Sequence, residues 1–559
     1  MFRRFGGSHW FLVFIFFGVL FWRVASLQIF PDSRVERQSR RQYWSRVSVS
    51  TDRGFIYDRS GNVLALSTPV PSFFIDPAYW NPADGPKLRG ILPDAVVSAV
   101  SSPMTGRFFW IARKVDETTA GNLRKLELKG IYEITEKKRL YPNKSLLAHV
   151  LGFCDVDDKG LSGIEMVWDK ILFSPPGLRM LIKESSGKTL DVSRQSGAPS
   201  RSGPGSVKLS VDSRIQFIVE KRLAEGIAEH GAKWGTVICM HPDTGAVAAM
   251  ASWPSFDPNL REELVNAKKI TNTSVGTSYE PGSTFKPIIL AIALEKGLVG
   301  KGESFNCPYS IKVADRHISE ANRVSYGKLT VSDILVKSSN TGMAQIGMRV
   351  KPFDMYNGVR EWGFGKPPGI ELNGVEEGLL ASPEQWRGVI PANISIGQGL
   401  AVTPLHLVTA LSAIANGGSL LKPFIVSEVK DSSGKIVHRG ERRLVREVLS
   451  PSVASWVLAQ MRESVKQGTG KQAALPYVSI AGKTGTAQVA EKGEYRKGKW
   501  VSSFAGIWPS EKPEYVMLVV VGEPSRGKFY GGDVAAPLFR RIVEDMYQTG
   551  LFARAGLGG

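Results

Sequence analysis

A chain of 559 residues is too long for one ordinary domain, and 43% hydrophobic residues supply enough apolar side chains for two or three cores. Its 71 Lys and Arg against 52 Asp and Glu give a net charge of +19, which suits nucleic acid, an anionic membrane surface or an anionic polymer outside the cell. The seven His are scattered, and no H-E-x-x-H pair, zinc-finger spacing or Walker loop occurs, so neither a metal nor a nucleotide cofactor is expected.

Arg3 and Arg4 precede an uncharged apolar run from Trp10 to Trp22. That run alone reaches roughly 20 Å at 1.5 Å per residue, but Gly6 to Ser8 and Val24 to Phe30 extend it to span about 30 Å of hydrocarbon, with Arg23 snorkelling. Val24-Ala25-Ser26 also fits a signal-peptidase site. An uncleaved anchor is preferred, because bulky Phe and Trp continue up to Arg23 and the apolar pattern resumes at Leu27, Ile29 and Phe30. Arg34, Arg37, Arg40, Arg41 and Arg46 follow the span, against the usual charge bias, yet long domains translocate largely regardless of charge. The expectation is a single-pass protein of the cytoplasmic (inner) membrane with a cytoplasmic N-terminus and an extracytoplasmic bulk. That location disfavours nucleic acid as a partner. Cys154, Cys239 and Cys307 are odd in number and widely spaced, which is no disulfide framework, and Cys239 in "TVICM" reads as core.

From Tyr43 to about Arg194, β-like runs alternate with turns and charged helices, as in "SVSTDRGFIYDRSGNVLA" and "LYPNKSLLAHVLGFCDVDDKGLSGIE". "RQSGAPSRSGPGS", Arg194 to Ser206, reads as a linker or exposed loop. "VKLSVD" then predicts a strand, and "SRIQFIVEKRLAEGIAEH" a helix with Ile215, Ile218, Val219, Leu223 and Ile227 on one side. "GTVICMHPDTGAVAAMAS" predicts two apolar strands about an Asp243-Thr244-Gly245 turn. Near the other end, "SIAGKTGTAQVA", "WVSSFAGIWP" and "EYVMLVVVGEP" predict three more strands, and "APLFRRIVEDMYQ" a closing helix. One antiparallel sheet, contributed by both ends of this region and covered by helices, is the economical α+β architecture. The expected parts are a stub and anchor over 1–30, an α+β module over 31–200 and the sheet-and-helix domain over 201–550.

Three stretches carry the chemistry. In "GTSYEPGSTFKPIILAIALEKG" Ser283 and Lys286 share the i, i+3 spacing that places two side chains on one helix face. Taken alone, Ser283 could be a helix cap and Lys286 a solvated charge. A lysine in the first turn of so apolar a helix would instead lose water, which disfavours the ammonium and makes a base that activates the serine. In "DILVKSSNTGMAQIG" the triplet Ser338-Ser339-Asn340 interrupts an apolar helical pattern with a hydroxyl and an amide. In "AGKTGTAQ" Lys483, Thr484, Gly485 and Thr486 lie in a strand able to edge a cleft, and Gly485 lets the backbone come close to a ligand.

In this order and behind an export signal, S-x-x-K, S-x-N and K-T-G resemble the serine penicillin-recognising acyltransferases. "RGFIYDRSGNVLA", "GLSGIE", "DTGAVAAMASWPSFDPN" and "SIGQGLAVTPLHL" resemble class B penicillin-binding proteins over nearly the whole chain, and Ser-Ser-Asn points to the division-type FtsI group. The resemblance implies a penicillin-binding transpeptidase (serine β-lactamase-like) domain behind a transmembrane helix and an elongated pedestal or dimerisation-type module. It implies a D,D-transpeptidase that cross-links peptidoglycan stem peptides ending in D-Ala-D-Ala, without a cofactor, and that β-lactams acylate. Ser283 would be the nucleophile, Lys286 its base, and Ser338 and Lys483 a proton relay to the leaving amine. Asn340 would orient Lys286 and hold the substrate amide. The N-H groups of Ser283 and Thr486 would form the oxyanion hole, and Thr484 and Thr486 with Lys483 would bind the terminal carboxylate. Strand polymerisation would fall to an FtsW-like membrane glycosyltransferase among other division proteins. The alternatives are an elongation-type transpeptidase and a non-enzymatic membrane-bound β-lactam sensor or wall-binding scaffold. A sensor is expected to carry a cytoplasmic signalling part.

Overall fold

The computed structural model describes residues 7–29, 44–49, 52–106, 108–173, 177–183, 189–190, 203–491 and 494–552. The expected linker falls outside the described residues from Arg194 to Arg201 and at Ser202. Gly7–Ile29 is one helix, and Phe14, Phe21 and Trp22 stand exposed on it. Among the described residues no helix is long and apolar enough to cross a membrane.

The chain divides into two compact units. In the first, drawn from 1–52, 68–138 and 175–202, Phe73 pairs with Ala112 and Ile75 with Phe109 in antiparallel register. Phe73, Ile75, Leu88, Val97, Ile111 and Leu123 close a small core beneath them. Helix Glu117–Lys125 begins at Asp116, whose carboxylate accepts from the Thr119 N-H and satisfies a donor that a helix start leaves open. Trp44–Val49 pairs antiparallel with Gly177–Lys183.

The second unit is built on five antiparallel strands in the order Val247–Trp253, Trp234–Met240, Tyr515–Gly522, Glu494–Trp508 and Ala481–Glu491. Two strands from its beginning thus meet three from its end, as the sequence led one to expect. Tyr515–Gly522 is buried at every position, which is why "YVMLVVVG" shows no polar alternation. Successive side chains still point to opposite faces. Met517, Val519 and Val521 join Val237 and Cys239 in one core with residues of the helices Ser213–His230 and Ala535–Gln548. Val516, Leu518 and Val520 join Ile238 and Met240 in the other, with the helices Lys286–Glu295 and Pro404–Ala415.

"VKLSVD" is a strand, Ser206–Leu209, but it belongs to a different sheet. It pairs antiparallel with Val426–Lys430 and parallel with Ile56–Tyr57. Beside it lies a buried ionic cluster that accounts for two of the quoted stretches. Arg53 Nε donates to Glu165 Oε2 at 2.5 Å and Arg53 Nη1 to Asp169 Oδ1 at 2.7 Å, while Arg139 Nε reaches Glu165 Oε1 at 2.6 Å. "RGFIYDRSGN" and "GLSGIE" are held together by these charges.

Candidate active site

Pro281 and Gly282, the latter at φ +55°, turn the chain into a short 3-10 segment, Gly282–Phe285, that runs directly into the helix Lys286–Glu295. Ser283 lies inside that segment and caps neither element. From Lys286 to Leu294 every residue of the helix is buried, and Lys286 itself is 0% exposed. Burial pushes its amine down to about 7, against the opposing pull of the Glu320 charge. The solvated-lysine alternative therefore fails.

Ser338 ends the helix Val331–Lys337 with a left-handed backbone, φ +61°. Ser339 then caps the helix Asn340–Met348, its hydroxyl accepting from the Gly342 N-H at 3.0 Å. This break turns Ser338 and Asn340 towards Lys286. Lys286 Nζ donates to Ser338 O at 2.6 Å, to Asn340 Oδ1 at 2.8 Å and to Ser338 Oγ at 3.3 Å. Asn340 Nδ2 donates to Ser319 O at 2.9 Å, which fixes the amide with its oxygen facing the lysine.

Lys483 arrives from the opposite side, on the strand Ala481–Glu491 at the edge of the five-stranded sheet. Its Nζ donates to Ser338 Oγ at 2.7 Å and to Thr484 O at 3.3 Å. Burial first, and then the neighbouring Lys286, hold its amine well below the ordinary lysine range. Two amines on one hydroxyl in a dry site cannot both keep full charge, so a proton can be passed among them.

A cavity of about 400 Å³ opens in front of these groups, lined among others by Ser283, Ser338, Asn340, Thr484 and Thr486. Lys286 and Lys483 are not in its lining; they stand behind Ser338. The serine, the amide and the two threonines are thus offered to a ligand, whereas the amines act through them. A hollow of about 570 Å³ beside Phe217, Arg222 and Asp545 contains none of the three motifs.

Residues 235–544 match the penicillin binding protein transpeptidase domain, and residues 48–204 the penicillin-binding protein dimerisation domain. The chain belongs to the class B penicillin-binding proteins. This penicillin-binding protein is 33% identical to the peptidoglycan D,D-transpeptidase FtsI of Escherichia coli (strain K12), over 94% of this chain and 88% of the relative. It is 32% identical to stage V sporulation protein D of Bacillus subtilis (strain 168), over 90% and 79%. Among solved structures it resembles penicillin binding protein 3 of Mycobacterium tuberculosis complexed with aztreonam, with a TM-score of 0.70 and 26% identity over 91% and 98% of the two chains.

Several groups at the site of this penicillin-binding protein escape a motif reading. A Cβ on Gly485 would stand 2.4 Å from Ser503 Oγ, 2.9 Å from Thr284 Cγ2 and 3.0 Å from Pro281 O. The glycine therefore lets the edge strand close on the Ser283 turn itself, not only on a ligand as the sequence suggested. Gly397 of "SIGQG" packs against the same turn: its φ is +78°, a Cβ there would come within 2.0 Å of Gly282 O, and its carbonyl accepts from the Gly282 N-H at 2.9 Å. Thr484 shares a hydrogen bond with Thr469, and Thr486 Oγ1 accepts from the Gly531 N-H at 2.9 Å, leaving its proton to donate. Glu320, 4% exposed, lines the cavity and accepts hydrogen bonds from Ser339, Asn340 and Thr341. In "HISEANR" it looks like an ordinary loop charge, and no spacing marks it.

Proposed function

We propose that this chain is a peptidoglycan D,D-transpeptidase of septal wall synthesis that works through an ester on Ser283. The observation that carries the assignment is Ser338 Oγ, held by two buried amines at the back of the cavity that Ser283 lines. Ser283 Oγ bonds to the carbonyl carbon between two D-alanines of a stem peptide, and its proton goes to Lys286. The carbon-nitrogen bond then breaks, and the proton reaches the leaving D-alanine by way of Ser338, with Lys483 behind it. An amine of a neighbouring stem peptide attacks the ester, the cross-link amide forms, and Ser283 recovers its proton. Asn340 orients Lys286 and holds the substrate amide. The N-H groups of Ser283 and Thr486 receive the oxyanion, each worth about 3 to 4 kcal/mol, and Thr484 and Thr486 bind the terminal carboxylate, with Gly485 between them keeping the strand close. Lys483, fully buried behind Ser338, does not touch that carboxylate and supports it through the strand that carries Thr484 and Thr486. A β-lactam enters as a mimic of this substrate.

The catalytic domain, 201–550, and the 31–200 module both lie outside the cytoplasmic membrane, anchored by a transmembrane segment within 1–30. An FtsW-like glycosyltransferase and other division proteins are its expected partners. Fluorescent penicillin followed by peptide mapping tests the chemistry: label belongs on Ser283, and Ser283→Ala should abolish it. Label on another serine overturns the mechanism. Depletion tests the cellular role. Filaments with unsplit septa are expected, whereas swollen, rounded cells would assign the chain to elongation.

A further inference from the structure

We propose that Glu320 is a positioning residue for the acyl transfer, its carboxylate building the Ser338–Asn340 turn and setting the charge that faces Lys286. The proposal rests on the Ser283 acyl transfer above and names what holds its second motif in place. Glu320 follows the strand Arg316–Ser319 and gathers four neutral donors. Its Oε1 accepts from Ser339 Oγ at 2.6 Å, from Thr341 Oγ1 at 2.7 Å and from the Thr341 N-H at 3.0 Å, and its Oε2 accepts from the Asn340 N-H at 2.8 Å. All four belong to the first residues after Ser338. Asn340 is therefore held at both ends, its backbone by Glu320 and its side chain by Ser319 O, with the amide oxygen on Lys286 Nζ.

An acid at a helix start is commonly a stabiliser of that helix and nothing more. Here the carboxylate has a second consequence, because neutral donors leave its charge in place and that charge acts on Lys286. The titratable groups facing Lys286 are Glu320 and, from the edge strand, Lys483, with Lys337, Asp533, Tyr326 and Tyr530 lining the cavity. Glutamine cannot replace the carboxylate neutrally. It keeps one acceptor oxygen, and its amide nitrogen would meet donors that need acceptors. Aspartate keeps the charge but is one methylene short of the same donors.

The experiment measures the acylation rate of the full chain by fluorescent penicillin as a function of pH, for wild type, Glu320→Gln and Glu320→Asp, with melting temperatures alongside. Misplacing reacting groups by about 1 Å costs on the order of 10² in rate, so the plateau of Glu320→Gln should fall by about that factor. Without the negative charge Lys286 gives up its proton more readily, so the acid limb of the Glu320→Gln profile should move to lower pH. In Glu320→Asp the plateau should fall while the limb stays in place. A Glu320→Gln plateau equal to wild type, or one lowered with its acid limb unmoved, overturns the proposal. If Glu320→Gln does not fold, Thr341→Val removes two-point anchoring but keeps the charge. It should lower the plateau without moving the limb, and a wild-type plateau in folded Thr341→Val overturns the proposal. Ser283→Ala separates the two levels: label that persists there overturns the acyl transfer itself, whereas Ser283-dependent label with an unchanged Glu320→Gln profile overturns only the role of Glu320.

Discussion

Lys286 and Lys483 meet at one oxygen atom, their amine nitrogens 3.3 Å and 2.7 Å from Ser338 Oγ. The pair shares a dry pocket, and each disfavours the other's charge. Burial pushes the Lys286 amine down to about 7, so it can give up its proton near neutrality. As a base it must be neutral, so the acylation rate should be low in acid, rise through about pH 7 and level off above it. Lys286→Arg keeps the charge but cannot accept the proton. Its rate should fall as far as that of Lys286→Met, by about 10² to 10⁴. Folded Lys286→Arg that reacts at near wild-type rate would make the lysine an electrostatic group and place the base elsewhere.

Gly485→Ala probes the closure of the edge strand on the Ser283 turn. The added methyl meets the Ser503 hydroxyl and the Thr284 side chain, and also the Pro281 carbonyl, which is backbone and cannot step aside. The strand should back away from Ser283 and carry Thr484 and Thr486 with it. Acylation should drop by about 10², measured by penicillin labelling on protein of near wild-type melting temperature. An unchanged rate means the strand accommodates the methyl in place.

Glu165 is wholly buried, and burial pushes its carboxyl up, but Arg139 and Arg53 outweigh that and hold it below the ordinary carboxylate range. Its folded pKa is therefore depressed, so the stability it contributes is present above the unfolded value and lost as pH falls through the folded one. Glu165→Gln should cost about 3 to 5 kcal/mol at neutral pH, because it leaves two buried guanidiniums short of a charge. The difference between variant and wild type should shrink in acid. Denaturant unfolding at several pH values measures both, and a pH-independent difference would remove the ionic explanation.

The N-terminal segment supplies a test of localisation. The mature protein should retain Phe2 to Phe30 and require detergent for extraction. N-terminal sequencing that begins at Leu27 would replace the anchor with a cleaved signal.

The three motifs that the fold gathers around one cavity were legible because their signals are local. Ser283 and Lys286 are separated by one helical turn, and the break at Ser338 shows as polar residues in an apolar helix. Three of the five sheet strands, Trp234–Met240, Val247–Trp253 and Tyr515–Gly522, were legible for the same reason, each being an apolar run between turns. What stayed hidden depends on residues far apart in sequence. Ser206–Leu209 chose its sheet by pairing with Val426–Lys430, a choice its own short pattern cannot contain. Glu320 is recognisable only once Ser339, Asn340 and Thr341 are folded onto it. Gly397 and Gly485 are two glycines among 58, and their significance is the atom that a methyl would strike. That Lys483 sits buried behind Ser338 instead of lining the cavity is likewise a matter of burial in three dimensions.

The left-handed backbone of Ser338 places activity and stability in opposition at a single residue. Glycine is the residue that adopts φ +61° without penalty, and a helix that ends this way ordinarily recruits one. Serine there gives up about 1 kcal/mol of backbone comfort to keep the hydroxyl on which both lysines converge. Ser338→Gly should accordingly melt no lower than wild type while losing its reaction with penicillin. Selection for thermal tolerance alone would drift towards that variant, and only selection for wall synthesis would hold the serine.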